Sequence, residues 1–472
     1  MPEARGRRGP ARPERVEIAP GSELIIVVRP GTAASRIKQM AGVVNAEVRP
    51  LFGDLPMRRP RRGTATGKSA NLALFYTVNA PLERFDDIAS RLRRLRMVES
   101  VYVKPPADLP MPPSTAPVPA VTPDFSIKQG YLKSATAGID ALWAWSVQGG
   151  DGAGTWVIDV ERAWRFSHED LLQNQGGLIG GFPPNNVDYR DHGTAVVGIL
   201  GGDANGYGIR GICPAANIRA VSTFNQYGQE HTAPAIMAGA QALRAGDVLV
   251  LEMHRPGPRF GFAIRLDRRG YIPVEWFPDD FAAIRQAFSL GVIVVEAAGN
   301  GAENLDDGLY DSPGPGFPAS WQNPFRRGPA DSKAILVGAG APPGGPLVDR
   351  ARLSFSNYGQ AVDAQGWGDA VVTTGRGELQ GGWNEDRWYT DIFGGTSAAT
   401  PMVAGAILCV QGMLRAARRP PCTPSQARTL VRTLGSPQQA AVGAPVSQRI
   451  GPRPSIRKMA AKLKLSGRRR PL

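Results

Sequence analysis

The rhythm of apolar and polar residues changes once along this chain, near residue 124. Between residues 22 and 104 the runs "ELIIVVRP", "VNAEVRPLFG", "NLALFYTVNA" and "ESVYVKPP" alternate or cluster β-branched residues and read as strands. "AASRIKQMAG" and "RFDDIASRLRRLRM" read as helices, the second carrying Phe85, Ile88, Leu92 and Leu95 on one face. The order βαββαβ predicts a small α+β domain of the ferredoxin-like kind. The arginine-rich "MRRPRRGTATGKS" between its second and third strands reads as an exposed hairpin loop. From Asp124 onward the pattern becomes short apolar runs, "GTWVIDV", "IRAVSTF", "DVLVLEM", "VIVVEAAGN" and "AILVGAG", separated by small-residue helices such as "APAIMAGAQALRA" and "PDDFAAIRQAFSL". Near-continuous apolar strands of this kind are those of a buried parallel sheet covered on both faces. The expected fold is therefore α/β, a doubly wound, mostly parallel sheet preceded by the small α+β module.

Five segments follow. Residues 1–21 form a basic, flexible start and 22–104 the small domain. Residues 105–123, with eight prolines, make a semi-rigid linker open to proteases. Residues 124–450 hold the main domain, and 451–472 read as a basic C-terminal tail. The net charge of +14 is confined to the ends: 1–120 carry +9, 451–472 carry +8, and 121–450 carry −3. A run such as "SGRRRPL" reads as a solvated tail, and no helix-turn-helix, zinc-finger or RNP pattern accompanies it, so nucleic acid is not an expected partner. No run of about 18 apolar residues is found and the start lacks an apolar signal core, so no membrane contact is expected and the location reads as cytoplasmic or unconventionally exported. Cys213, Cys409 and Cys422 are too few for a disulfide framework, with one bridge such as Cys409 to Cys422 left open, and they lack metal-ligand spacing.

Four polar residues stand out against the apolar pattern. Asp159 in "WVIDVERAW" sits at the tip of a buried strand, where a carboxylate is costly without a partner. His192 in "YRDHGTAVVGILGG" lies ahead of a helix and presents its ring from the helix start. Ser397 in "FGGTSAATPMVAGAILCV" opens a helix after two glycines, with Pro401 in the first turn, where free N–H groups favour a developing anion. Asn300 ends "GVIVVEAAGN" and can cap a turn or donate to an oxyanion. Each has an ordinary structural reading alone. Together they supply what serine-based acyl transfer needs: nucleophile, proton acceptor, orienting acid and oxyanion donor.

With these motifs the chain resembles the subtilisin-like serine proteases, the subtilase family, over about residues 130–435. "DHGTAVVGI", "AAGN" and "GGTSAATPMVAGA" carry the resemblance, supported by "GIDALWAW", "GYGIRGICPAANI" and "LSFSNYG". It implies Asp159 as orienting carboxylate, His192 as general base and acid, Ser397 as nucleophile and Asn300 as oxyanion donor. It implies protein or peptide substrates seated along Glu252, Met253, His254, Ala298 and Gly299, and no cofactor for the chemistry. It also implies that the N-terminal domain is a propeptide that inhibits its own enzyme, with "ESVYVKPPADLP" in the cleft and a charge opposite to that of the main domain. A structural calcium is implied at Asp170 and Asn205. A catalytically silent scaffold on the same fold is the other reading.

Two departures matter. The family usually follows its aspartate with a small residue and glycine, whereas Val160 and Glu161 stand here. In "DVLVLEMHRPGP", Glu252 takes a position that is usually serine at the substrate edge. An acid there either favours a basic side chain before the scissile bond or turns away to pair with Arg255.

Overall fold

The computed structural model describes residues 18, 21–53, 71–107 and 121–465. The arginine-rich hairpin loop, most of the basic start and of the proline linker, and "SGRRRPL" lie outside the described residues. The N-terminal module contains β1 (Glu23–Val28), α1 (Ala34–Val44), β2 (Glu47–Pro50), β3 (Phe75–Asn79), α2 (Phe85–Arg93) and β4 (Val98–Lys104). Its antiparallel sheet runs β2-β3-β1-β4, the order that βαββαβ connectivity gives. Alternation along β1 divides its side chains: Leu24 and Ile26 face α1 and α2, while Ile25 and Val27 face the main domain.

The main domain continues with α3 (Ala141–Ala144), β5 (Trp156–Glu161), β6 (Gln175–Gly180), α4 (Val187–Gly201), β7 (Asn217–Ser222), α5 (Thr232–Ala242), β8 (Val248–Leu251), β9 (His254–Pro256), β10 (Tyr271–Pro273), α6 (Pro278–Ser289) and β11 (Ile293–Ala297). After these come β12 (Ile335–Gly340), β13 (Val362–Trp367), β14 (Val371–Thr374), β15 (Tyr389–Phe393), α7 (Thr396–Ala416), α8 (Pro424–Thr433) and α9 (Ile456–Lys462). Seven strands form one parallel sheet in the order β13-β12-β11-β8-β5-β7-β6. Strand alternation sorts its core into two layers. Val157, Val248, Val250, Ile293 and Val295 pack on α4 and α7, whereas Ile158, Val160, Leu249, Leu251 and Val294 pack on α5 and α6. The second layer also holds Ile25, Val27, Leu51, Phe52 and Phe75, so the N-terminal module shares a core with the main domain. Each such fully buried aliphatic side chain contributes about 1.5–3 kcal/mol.

Several expectations change. Residues 451–465 are not a solvated tail: Ile456, Met459, Ala460 and Leu465 join the core against α7, and Arg453 is buried. The helical spacing of apolar residues in "SIRKMAAKL" outweighs its basic charge. Cys213, Cys409 and Cys422 are free and buried, and it is the Cys213 and Cys409 thiols that meet, with sulfurs 3.7 Å apart. Among the described residues α7 is the one helix long and apolar enough to cross a membrane, and all of its apolar window is buried inside the protein.

Candidate active site

Strand β5 does not stop at Asp159 but runs two residues further, to Glu161. Residues two apart on a strand share a face. Asp159 and Glu161 therefore point to the same side as Val157, toward α4 and α7. The sequence places His192 ahead of a helix; the structure puts it in the second turn of α4, because Asn186 caps that helix by accepting the Tyr189 N–H and Asp188 suits its first turn. The ring reaches β5, and His192 Nδ1 lies 2.7 Å from Glu161 Oε2. The expected contact with Asp159 is replaced: Asp159 Oδ2 accepts the Trp164 indole N–H at 2.7 Å. A Cβ on Gly193 would run into the Ala163 carbonyl and the Trp164 ring, so glycine lets that loop lie against α4.

Asp159, Glu161 and His192 are all buried. Desolvation, then the Glu161 charge, holds the Asp159 carboxyl well above its usual range. Burial lifts Glu161 to about 8 and lowers the His192 imidazole to about 3, leaving the imidazole neutral and ready to accept a proton. Its Nε2 has no partner among the described residues. Phe393 closes the other side, edge to face at 5.6 Å.

Ser397 is the second residue of α7, following Gly395, whose φ of 89° a side chain would strain. Pro401 falls in the second turn, one turn later than expected, so the Ser397 carbonyl lacks its i+4 donor. Asn300 is oriented by this helix start: its Oδ1 accepts the Thr396 N–H and hydroxyl, both at 2.9 Å. Its NH₂ is thereby turned away from those donors, on the Gly395 side, where a Cβ would meet it. Gly299, with φ of 92°, makes the preceding turn, and His254 Nδ1 accepts the Asn300 backbone N–H at 3.1 Å. His254 thus holds the loop that carries Asn300, a contact its sequence context did not signal. Met253 is buried beside it and Ala298 lies just past the end of β11.

Glu252 follows β8 directly and is buried, and the Ser397 side chain is its one hydrogen-bonding neighbour among the described residues, in a geometry too loose for a full bond. It does not pair with Arg255, which binds Asp280, the Thr232 hydroxyl and the Pro105 carbonyl. Its neighbours are Ser397, Asp159 and Glu161. Desolvation and those two acids hold its carboxyl well above the usual range, so it is a neutral acid beside the serine.

The end of the N-terminal module is threaded beside this site. Buried Lys104 pairs with Asp279, with Glu23 at 2.8 Å and with Asp280 at 3.5 Å. Tyr102 donates to Asp279 at 2.9 Å. Beyond them Arg255 and Arg162 hold the carbonyls of Pro105 and Ala107, and Ala107 is buried. Arg162 directly follows Glu161, so the segment leads toward the acids of β5.

Asp170 and Asn205 do come together, but on each other. Asn205 donates to Asp170 Oδ1 at 2.6 Å and the Ile209 N–H to Oδ2 at 2.6 Å, while Asn205 Oδ1 accepts the Tyr207 N–H. Oxygens already engaged by N–H donors do not make a calcium cage. Among the described residues no cluster of three or more His, Cys, Asp or Glu side chains is arranged to hold a metal.

The sequence matches the model of the subtilase family over residues 180–442. It is 26% identical to subtilisin DY of Bacillus licheniformis over 259 residues, 55% of this chain and 77% of that one. It is 26% identical to the calcium-dependent protease of Trichormus variabilis over 324 residues, covering 61% of this chain and less than half, 43%, of that relative. The fold resembles that of the epidermin leader peptide processing serine protease (EpiP) from Staphylococcus aureus. The two share a TM-score of 0.57 and 15% identity, over 95% of this chain and 100% of that one.

Proposed function

This chain belongs to the subtilase family of serine-type endopeptidases, and we propose that it cuts peptide bonds through an acyl-enzyme on Ser397 with His192 as base. The observation that carries this reading is that Glu252 interacts both with Ser397, beside Asn300 at the start of α7, and with Asp159 and Glu161, the second of which holds a neutral, buried His192 whose Nε2 is free. Nε2 takes the Ser397 Oγ proton as Oγ attacks the scissile carbonyl. Negative charge then collects on the former carbonyl oxygen, where the Asn300 NH₂ and the Ser397 N–H can donate. The proton passes from Nε2 to the leaving amine, and water reverses the sequence to free the acid. No cofactor is needed for these steps. A calcium site at Asp170 and Asn205 forms no part of the proposal.

The N-terminal module is read as an intramolecular inhibitor. Its support is the shared core with α5 and α6 and the seating of residues 104–107 by Arg255 and Arg162. Nothing among the described residues favours a silent scaffold, since every group the chemistry requires is filled.

A fluorophosphonate probe followed by peptide mapping tests the assignment. The adduct is expected on Ser397 and absent from Ser397→Ala; an adduct that survives the substitution refutes the nucleophile. Glu252 gives a second expectation. A neutral carboxyl offers no counter-ion to arginine, so a peptide library should show arginine and leucine before the scissile bond cut within about tenfold of one another. A large arginine preference that Glu252→Gln abolishes would show the acid ionised and substrate-facing.

A further inference from the structure

The acid that holds the histidine is not the one the family resemblance selects. We propose that Glu161 is the positioning carboxylate for His192, and that Asp159 stands behind it as a neutral carboxyl, so that an acid pair sharing one proton replaces a single aspartate. The inference rests on the protease reading above and concerns only how its base is held.

Three observations carry it. The first is contact: Glu161 Oε2 is 2.7 Å from His192 Nδ1, whereas Asp159 Oδ2 is taken by the Trp164 indole. The second is reach. Residues two apart on a strand are about 6.6 Å apart along the backbone, and of the two acids it is the later whose carboxylate touches the ring, while Asp159 acts on it only through its charge. The third is what remains unpaired. Asp159 Oδ1 and Glu161 Oε1 have no other donor, and the two carboxyls are hydrogen-bonding neighbours. Two acceptor oxygens cannot bond each other without a proton between them. Two buried carboxyls at this separation do not both ionise, as in other carboxyl dyads.

The remaining groups around the pair fit one charge and no more. Arg162 comes from the end of β5, but it is bonded to Glu230 and to the Ala107 carbonyl. Glu252 faces from β8, Arg376 and His254 act on the site at longer range, and Ser397 and Phe393 complete its walls. Glu161 ionises first of the two, at about 8, while Asp159, held well above its usual range, stays protonated and donates from Oδ1 to Glu161 Oε1, so the working form of the pair builds up as the pH rises toward 8. Glu161 then presents Oε2 to the Nδ1–H, fixing the tautomer that leaves Nε2 free. When His192 takes the serine proton, the imidazolium meets one carboxylate that is already hydrogen-bonded on its far oxygen. The pair keeps its single proton throughout the cycle. This answers how the site works without the small residues that usually follow the aspartate: the second of those positions carries the working acid.

The test compares Glu161→Gln with Asp159→Asn in the full chain, reading hydrolysis of a fluorogenic peptide and the low-field proton resonance of His192 Nδ1–H. Glutamine at 161 can offer the ring an N–H and stabilise the wrong tautomer, so kcat should fall about 10³- to 10⁴-fold with KM little changed, and the resonance should vanish. Asparagine at 159 still has an N–H for Glu161 Oε1, so kcat should fall only about tenfold and the resonance should persist. An Asp159→Asn loss equal to or larger than that of Glu161→Gln overturns the division of roles, as does a low-field resonance that survives Glu161→Gln. If either variant folds poorly, Glu161→Asp decides: retracting the carboxylate by one methylene should cost more than Asp159→Asn, and a smaller cost overturns the proposal. A wild type that Ser397→Ala fails to silence refutes the protease reading itself, a result independent of both acids.

Discussion

Replacing His192 by alanine is expected to lower kcat about 10⁶-fold while leaving KM within a few-fold, a magnitude established for subtilisin itself. The reason lies in what the ring is free to do. Its Nδ1 is committed to Glu161 and its Nε2 is unpartnered, so in the proposed mechanism that free lone pair is the one that takes the Ser397 proton. Glu252 is closer in kind to a competitor, but an acid held neutral by burial and two neighbouring carboxyls cannot accept the serine proton near neutral pH. In the proposed mechanism the imidazole transfers a proton and does not grip the peptide, which is why KM should hold. What survives the substitution should be the share supplied by Asn300 and the helix start, about 10³- to 10⁴-fold over water. Peptide turnover by His192→Ala within a hundredfold of wild type would mean that another group removes the proton.

Lys104→Met, in a Ser397→Ala background to prevent self-cleavage, is expected to loosen the N-terminal module by about 3–5 kcal/mol. Lys104 is fully buried among Glu23, Asp279 and Asp280, with Arg255 on Asp280 and His231 on Glu23. Removing the lysine leaves the acids with fewer buried cations than charges, and Asp279 with the Tyr102 hydroxyl but no ion-pair partner, which costs more than the pair contributed. Hydrogen exchange should report this as lost protection in β4 and the first turn of α6. Unchanged exchange there would show that the apolar contacts of β1 and β3 suffice.

The same cluster fixes how docking depends on pH. Burial opposes charge at Glu23, but Lys104 and His231 overcome it and pull the carboxyl down to about 2. Its contribution is present above its unfolded value near 4.5 and is lost only as pH falls through about 2. Lys104 is raised by its acids, so its share persists below 10.5 and is lost only in strong alkali. Asp280 is held up to about 6 by burial, so it favours the docked state as pH falls from about 6 toward 4. Mild acidification should therefore tighten the module rather than release it, and exchange at pH 5 should be slower than at pH 8 after correction for the intrinsic rate.

Much of this was legible from residue patterns, and the misses have physical causes. The six elements of the small module and five strands of the large sheet announce themselves because each buries a run of apolar side chains. Strand β6, "QGGLIG", is glycine-rich and lies at the sheet edge, and β13, "VDAQGW", is buried yet polar; neither has the composition of a strand. Ser397, His192 and Asn300 were found through helix starts and strand ends, which short motifs mark well. Glu161 stood out in the sequence only as a departure from the family's glycine, because Asp159 is the acid that interrupts the apolar run. The available signal was the spacing: in a strand whose second residue faces the catalytic helices, the fourth and sixth face them too. The role of His254 had no signal, since its bond to the Asn300 N–H joins segments 46 residues apart. The basic count of residues 451–465 concealed an amphipathic helix.

That last helix has a consequence for biosynthesis. Helix α7 carries the nucleophile at one end, while Val410, Met413 and Leu414 near its other end pack in the same core as Ile456, Met459 and Ala460 of α9. A ribosome delivers Ser397 some sixty residues before it delivers the side chains that cover the far end of the serine's own helix. Until they emerge, that end of α7 has only its earlier neighbours in α3, α8 and the sheet to pack on. Its cover is therefore completed well after Ser397 itself has left the ribosome.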